Sequence, residues 1–395
     1  MAVYLDCAAT APLDPRVQRE VMTYLEVEFG NAGSRHHEFG TRARSAVEKA
    51  RVQVAAVVGA TRGEIVFTSG ATESNNLALL GLAEHGAKTG RTHLVSTRIE
   101  HKSVLEPLRT LSGRGFEVTL VAPEPGGWVH PRAILEALRE NTLLVSVMQV
   151  NNETGVIQPI REIARLLENH PAYLHVDAAQ GFGKEIASLR DRRIDLISIS
   201  GHKVYGPKGI GALATRRRNG KRPPLIPLMH GGGQELGLRP GTLPVPLIAG
   251  LGKASELALG EHRERNATCR RFREIVLRRL QPLNPVFNGD LDRTVPHIVN
   301  LTLPGIGSEE AIEAVSQVAA ISNGSACTST SESCSHVLSA QGLDEDRMEG
   351  ALRLSWCHLS RQPDWNGFIR AIEAIPVAEH PDRSTVVGIG QAGVV

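Results

Sequence analysis

The sequence predicts an open α/β fold, and two observations carry that prediction. Between about residues 64 and 215, short β-branched runs alternate with helical stretches, the pattern of strands that share one sheet with helices on its faces. Each run that reads as a strand is followed by polar residues able to do chemistry, and such sheets bind ligands beyond the carboxyl ends of their strands. The chain has 395 residues, enough for one large or two medium domains with a sizeable core.

Taken in order, the first strand is "EIVFTS" (64–69), which runs into Gly70-Ala71-Thr72-Glu73-Ser74-Asn75 and a helical stretch, "SNNLALLGLAEHGAK" (74–88). The second, "THLVSTR" (92–98), delivers Ile99-Glu100-His101. The third, "NTLLVSVMQV" (141–150), delivers Asn151-Asn152-Glu153-Thr154-Gly155 and is followed by helical "IREIARLLENH" (160–170). The fourth, "AYLHV", ends in Asp177-Ala178-Ala179-Gln180, and the fifth, "IDLISIS", in Gly201-His202-Lys203. Five such ends on one sheet converge on one site.

The composition excludes several classes. With 41% hydrophobic and 22% charged residues the chain is an ordinary globular protein, and a net charge of +2 announces neither a nucleic-acid nor a membrane binder. No charged-then-apolar leader opens it, and no apolar run approaches the ~20 residues a membrane helix needs. Its five cysteines (Cys7, Cys269, Cys327, Cys334 and Cys357) are odd in number and scattered, so a reducing cytoplasm is expected rather than a disulfide framework. No short paired Cys/His spacing suggests a zinc site, and no metal is expected.

The strand-end residues fit one chemistry. A lysine after an apolar strand can carry a Schiff base when its amine is partly desolvated, and Lys203 is placed for that. Asp177, at a neighbouring strand end, can pair with a pyridinium nitrogen. A Schiff-base lysine with an acidic partner for the ring nitrogen is the usual protein contribution to pyridoxal-phosphate chemistry. The turn Gly70-Ala71-Thr72 offers backbone N–H groups at a helix start for the phosphate, and Ser200 and His202 flank Lys203 with further donors. His101 can lie on the ring face and shuttle protons; Asn152 and Gln180 can bond the ring oxygen. Singly, each has a bland reading: a surface lysine, a turn aspartate, a satisfied histidine, one glycine turn among many. Together they point to one site.

At these residues the chain resembles the cysteine desulfurases, fold-type I enzymes that use pyridoxal 5'-phosphate. The resemblance runs from "YLDCAATAP" to about residue 375 through "FTSGATESNN", "EHKSV", "VNNETGVIQPI", "HVDAAQ", "SGHKVYGPKGIG", "GGGQELGLRPGT", "GSACTS" and "LRLS". It implies a large cofactor domain over 15–255 with a mixed, mostly parallel seven-stranded sheet. It also implies a smaller α/β domain combining 1–14 with 256–376, and a C-terminal tail over 377–395.

The resemblance further implies removal of sulfur from L-cysteine, leaving alanine and a persulfide on the enzyme. Lys203, His101 and Cys327 (of "GSACTS") would be catalytic. Ala71, Thr72, Asn152, Asp177, Gln180, Ser200 and His202 would hold the cofactor with them. Thr242 would reach the phosphate of a neighbouring subunit in a homodimer, and Asn152 and Arg353 would bind the substrate carboxylate. The Ser-, Thr- and Gly-rich stretch "SNGSACTSTSESCS" (322–335) suits a thiol that takes sulfur in one place and delivers it in another.

Three blocks depart from the family pattern: Cys7 stands where Asn is usual, Gly30-Asn31-Ala32-Gly33-Ser34 replaces Gly-Asn-Pro-Ser-Ser, and Trp356-Cys357 follows Ser355. These point away from a housekeeping iron–sulfur assembly enzyme and toward the desulfurase branch of bacterial DNA phosphorothioation, with an iron–sulfur protein as persulfide acceptor and no direct contact with DNA. A lyase acting on selenocysteine or cysteine sulfinate, and a general iron–sulfur assembly desulfurase, stay open as alternatives. Cys334 reads as an incidental loop thiol, Cys7, Cys269 and Cys357 as small hydrophobes, and "RRRNGKRPP" (216–224) as a solvated hairpin tip.

Overall fold

The five apolar runs become strands with buried side chains on both faces, and two weaker runs join them. A computed structural model describes residues 2–324 and 335–376. Among the described residues the strands in chain order are β1 (Val3–Tyr4), β2 (Ile65–Thr68), β3 (His93–Thr97), β4 (Glu117–Val121), β5 (Thr142–Met148), β6 (Tyr173–Asp177), β7 (Leu196–Ser200), β8 (Gly211–Thr215), β9 (Val286–Phe287), β10 (Ile298–Thr302), β11 (Ala319–Ala320) and β12 (Ala351–Ser355). Seven of them form one sheet in the order β2-β8-β7-β6-β5-β3-β4. β4, β3, β5, β6 and β7 run parallel, while β8 is antiparallel to both β2 and β7. This is the mixed, mostly parallel sheet that the sequence implies. β4 and β8 carry weaker signals: β4 is a partly exposed edge strand, and β8 reads "GALAT", with a single β-branched residue.

A second, three-stranded antiparallel sheet has the order β12-β10-β9, and β1 pairs in parallel with β11. The 36-residue helix Val245–Leu280 ties the two sheets together. Ile248, Leu251, Ala254 and Ala258 pack into the core of the large sheet, whereas Cys269, Phe272, Val276 and Leu280 pack with Trp356 and Phe368 beside the small one.

The N-terminal segment is a strap across the seam. Ser355 N–H donates to the Leu5 carbonyl (2.7 Å), Cys7 N–H to the Ser355 carbonyl (3.1 Å), Ala8 N–H to Ser355 Oγ (2.8 Å) and Ala11 N–H to the His202 carbonyl (3.0 Å). The strap therefore runs from the end of β12 to the loop that carries Lys203.

Two expectations need correction. The stretch 74–88 is not one helix but falls into two, Ala71–Leu80 and Ala83–Thr89. Gly81 lies between them, its carbonyl taken by Ile226 N–H (2.9 Å), and a Cβ there would stand 3.1 Å from the Ile226 carbonyl oxygen. The close approach of that segment ends the first helix.

The basic stretch 216–224 is not a wholly solvated tip. Arg218 and Lys221 do bridge around Asn219 and Gly220, both at positive φ. Arg216, however, is buried and donates to the carbonyls of Val58, Leu189, Asp191 and Ile194, while Arg218 pairs with Asp195 and lies over the Tyr173 ring. Backbone carbonyls left open at element ends draw the guanidinium groups inward. Among the described residues, no helix is long and apolar enough to cross a membrane.

Candidate active site

The parallel strands end on one side of the large sheet, so the residues that follow them share a cavity of about 720 Å³. It is lined by Ala71, Thr72, His101, Asn152, Asp177, Gln180, Ser200, His202 and Lys203, nine of the twelve site residues expected from the sequence. Thr242 is exposed and lies outside this lining. Arg353 is also outside it, although its Nη1 donates to the Asn152 carbonyl (2.9 Å) at the cavity wall. Cys327 and Cys334 lie outside the described residues.

Gly70 precedes the helix Ala71–Leu80 and has no side chain between the cavity and the first N–H groups of the helix. Those groups have no intrahelical acceptor, so they and the helix dipole favour an anion. Beside them is His202, whose Nδ1 is 3.1 Å from Thr10 Oγ1. Burial and the nearby Lys203, Lys208 and Lys184 push its imidazole down to about 4, so it is neutral at pH 7. Lys203 Nζ donates to the Ala8 carbonyl of the strap.

Asp177 ends β6 and is buried, with Oδ1 accepting from Ala179 N–H (2.9 Å) and Oδ2 from Asn75 Nδ2 (2.8 Å). Asn75 Nδ2 also donates to Ser103 Oγ (2.8 Å), which lies 2.7 Å from His101 Nδ1. His101 caps the helix Lys102–Ser112, and its Nδ1 accepts from the Ser103 N–H (3.1 Å). A backbone N–H can only donate, so Nδ1 is the acceptor and a neutral His101 carries its proton on Nε2. The chain Asp177–Asn75–Ser103–His101 thus joins the buried carboxylate to the imidazole.

Behind His101 lies Glu100, fully buried. Its Oε1 accepts from Thr97 Oγ1 (2.7 Å) and Met148 N–H (2.9 Å), and burial pushes its carboxyl up to about 8. Oε2 has no partner among the described residues and is the place for the proton.

Arg353 sits mid-strand in β12 and is buried. Its Nη2 pairs with Asp6 Oδ1 (2.7 Å), and Ser322 Oγ donates to the same oxygen (3.2 Å). Its Nε is buried without a partner among the described residues, as is Gln180 Oε1 in the cavity wall. Buried polar atoms are nearly always satisfied, so Gln180 Oε1 in the cavity wall is an acceptor open to a ligand. The chain flanking 325–334 is anchored here too. The Gly324 carbonyl faces Arg353 Nη1 (3.4 Å), Ser335 Oγ donates to Glu153 Oε2, and His336 Nε2 donates to the Glu100 carbonyl (2.9 Å).

Comparison with known proteins settles the family. The aminotransferase class-V model matches residues 3–365. A cysteine desulfurase IscS of Vibrio cholerae is 42% identical over 381 residues, covering 96% of this chain and 93% of its own. The chain belongs to the cysteine desulfurases. Among solved structures this desulfurase is similar to DndA from Streptomyces lividans, at 49% identity and TM-score 0.79, with 90% of this chain and 99% of that one covered. It is also similar to SspA in complex with cysteine, at 38% identity and TM-score 0.78, with 90% and 98% covered.

Four contributors to the desulfurase site are not singled out by their residue types: Asn75, Ser103, Asp6 and the Ala8 carbonyl. Asn75 and Ser103 lie within the first two turns of helices that open at the cavity, where a small polar side chain points back toward the strand ends. Asp6 and Ala8 give no such signal, because only the crossing of the strap brings them in.

Proposed function

We propose that this desulfurase holds pyridoxal 5'-phosphate in the cavity and converts L-cysteine to L-alanine, leaving the sulfur as a persulfide on Cys327. The single observation that carries the reading is the convergence, in one cavity, of Lys203, the buried Asp177 and the N-terminus of the helix Ala71–Leu80. The cavity fits the cofactor on its own terms: an amine for the aldehyde, a carboxylate for a pyridinium nitrogen, N–H and hydroxyl donors for a phosphate, and an orphaned Gln180 Oε1.

Ala71, Thr72, Ser200 and His202 would hold the phosphate, and neutral His202 suits a hydrogen bond rather than a charge there. Asp177, fixed by Asn75 and Ala179 N–H, would keep the ring nitrogen protonated, and Asn152 and Gln180 would contact the ring oxygen. When bound, the cofactor supplies an electron sink for charge at the substrate Cα.

Asn152 and Arg353 would take the substrate carboxylate, with the open Arg353 Nε as one donor of a bidentate pair. Lys203 would move the proton at Cα, and His101 would move protons at the thiols through Nε2. The Cys327 thiolate attacks the substrate sulfur: the S–S bond forms, the Cβ–S bond breaks, and its electron pair takes a proton to give the methyl group of alanine. Cys327 is three residues past Gly324, and three residues of chain reach about 10 Å, so its tether begins beside Arg353 and Asn152.

The acceptor of the persulfide would be an iron–sulfur protein, and the pathway DNA phosphorothioation; the likeness to DndA at 49% identity favours this over general iron–sulfur assembly. Thr242, exposed here, would complete the phosphate site of a second copy in a homodimer. The protein as purified should be yellow and release alanine from L-cysteine, and Lys203→Ala should abolish alanine release. Alanine release at the wild-type rate by Lys203→Ala would refute the reading.

A further inference from the structure

Beside the strap, three free thiols lie near one buried lysine. Cys7, Cys269 and Cys357 are each 2% exposed and unbridged. Lys184 is buried among them, its Nζ 3.4 Å from His297 Nε2 and 5.8 Å from the centroid of the Tyr205 ring. Cys7 and Cys357 share a small core group with Ala11 and Tyr205. Ser360 Oγ touches both sulfurs, 3.6 Å from Cys357 Sγ and 4.0 Å from Cys7 Sγ.

The backbone sets this meeting. Asp6 pairs in parallel register with Ser355, Cys7 N–H donates to the Ser355 carbonyl (3.1 Å), and Cys357 N–H donates to Ser360 Oγ (3.0 Å). Both sulfurs therefore stand against one hydroxyl within one small core group. The Cys7 thiol beside it, with Ser360 and nearby Lys184, draws the Cys357 thiol down against the opposing effect of burial, while Cys357 and burial hold the Cys7 proton more tightly. A thiolate with a thiol against it is the arrangement from which a disulfide forms. Cys269 is held differently: its carbonyl accepts from Trp356 Nε1 (3.1 Å), and it packs in the core of the small sheet.

We propose that Cys7 and Cys357 form a site of two-electron oxidation, at which a peroxide converts the pair to a disulfide that staples the N-terminal strap to the end of β12. The Cys357 thiolate attacks one oxygen of hydrogen peroxide, the O–O bond breaks, and hydroxide leaves and is protonated to water. The sulfenic acid so formed is attacked by Cys7 sulfur; the S–S bond forms, the S–O bond breaks and a second water leaves. Hydrogen peroxide is the oxidant of choice because it is little larger than water and the pair is buried.

The staple lies between two contacts that the strap makes with the cavity region: Asp6 on Arg353 before it, and the Ala8 carbonyl on Lys203 and Gln180 after it. It also closes a loop of nearly the whole chain, which restricts the unfolded state.

The test uses the full-length holoenzyme. Protein treated with hydrogen peroxide is alkylated, unfolded, alkylated with a second reagent and digested without reduction. The expected result is a peptide pair linked through Cys7 and Cys357, released by dithiothreitol, with Cys269 still open to the second reagent. The thermal midpoint should rise by about 5 °C, and Cys357→Ala should lose that rise. Cys7 and Cys357 both alkylated by the second reagent, or linked to other cysteines, would overturn the proposal. The mapping is made on the wild type, so a variant that fails to fold does not leave the question open.

Discussion

Arg353 on β12 and Asp6 on the strap beside that strand meet, guanidinium Nη2 to carboxylate Oδ1, at 2.7 Å, with Arg353 buried. The pair fixes the direction of a fork whose Nε has no partner among the described residues. Asp6→Asn keeps the shape and removes the charge. With a hydrogen bond to a charged group contributing about 1.5–3 kcal/mol, KM for L-cysteine should rise by about tenfold or more while kcat changes by less than about threefold. Steady-state alanine release checks the split, and an unchanged KM would show that Asp6 does not position Arg353.

Ser103 ties His101 Nδ1 to Asn75 and so to Asp177. In Ser103→Ala the backbone N–H still caps His101, but the hydroxyl link is gone. One neutral hydrogen bond contributes about 1 kcal/mol, so kcat should fall about fivefold with KM held and the yellow colour kept. The pH profile of kcat should shift as well. A loss of colour instead would place Ser103 in cofactor retention.

The legibility of this site followed the distance over which its parts interact. Lys203, Asp177, His101 and the Gly70 turn each follow an apolar run, and alternation and strand ends are local signals that one pass along the chain can read. β8 evaded that reading because a central strand of small residues has little apolar signature. Asp6 and the Ala8 carbonyl evaded it because their partners, Arg353 and Lys203, are hundreds of residues away and only the strap brings them near. Arg216 misled for a related reason: in sequence it belongs to a basic cluster, and only the fold supplies the carbonyls it serves.

Glu100 should make stability depend on pH. Its carboxyl is pushed up to about 8 by burial, against about 4.3 in an unfolded chain. Below about pH 4.3 it is protonated in both states and costs nothing. As the pH rises only the unfolded chain ionises, so stability falls until the folded carboxyl titrates near pH 8. Glu100→Gln, neutral throughout, should gain on the wild type by about 1.4 kcal/mol per pH unit between about pH 5 and 8. Urea midpoints of the two proteins across that range should diverge; parallel curves would mean that Glu100 is ionised in the fold.

Arg216 and Arg217 are neighbours with opposite surroundings, one buried on four carbonyls and the other exposed. Arg216→Ala leaves those carbonyls without their donor and should cost about 3 kcal/mol. Arg217→Ala should stay within about 0.5 kcal/mol. Denaturant unfolding of both variants checks the contrast, and equal small losses would return the whole stretch to a solvated tip.

The most direct measurement is alanine release from L-cysteine under reductant, wild type against Cys327→Ser, with the cofactor absorbance recorded on both. The account predicts alanine from the wild type and a loss of at least about a hundredfold in the variant, with the absorbance retained. Equal alanine from both proteins would contradict it, because the sulfur would then leave the substrate without Cys327.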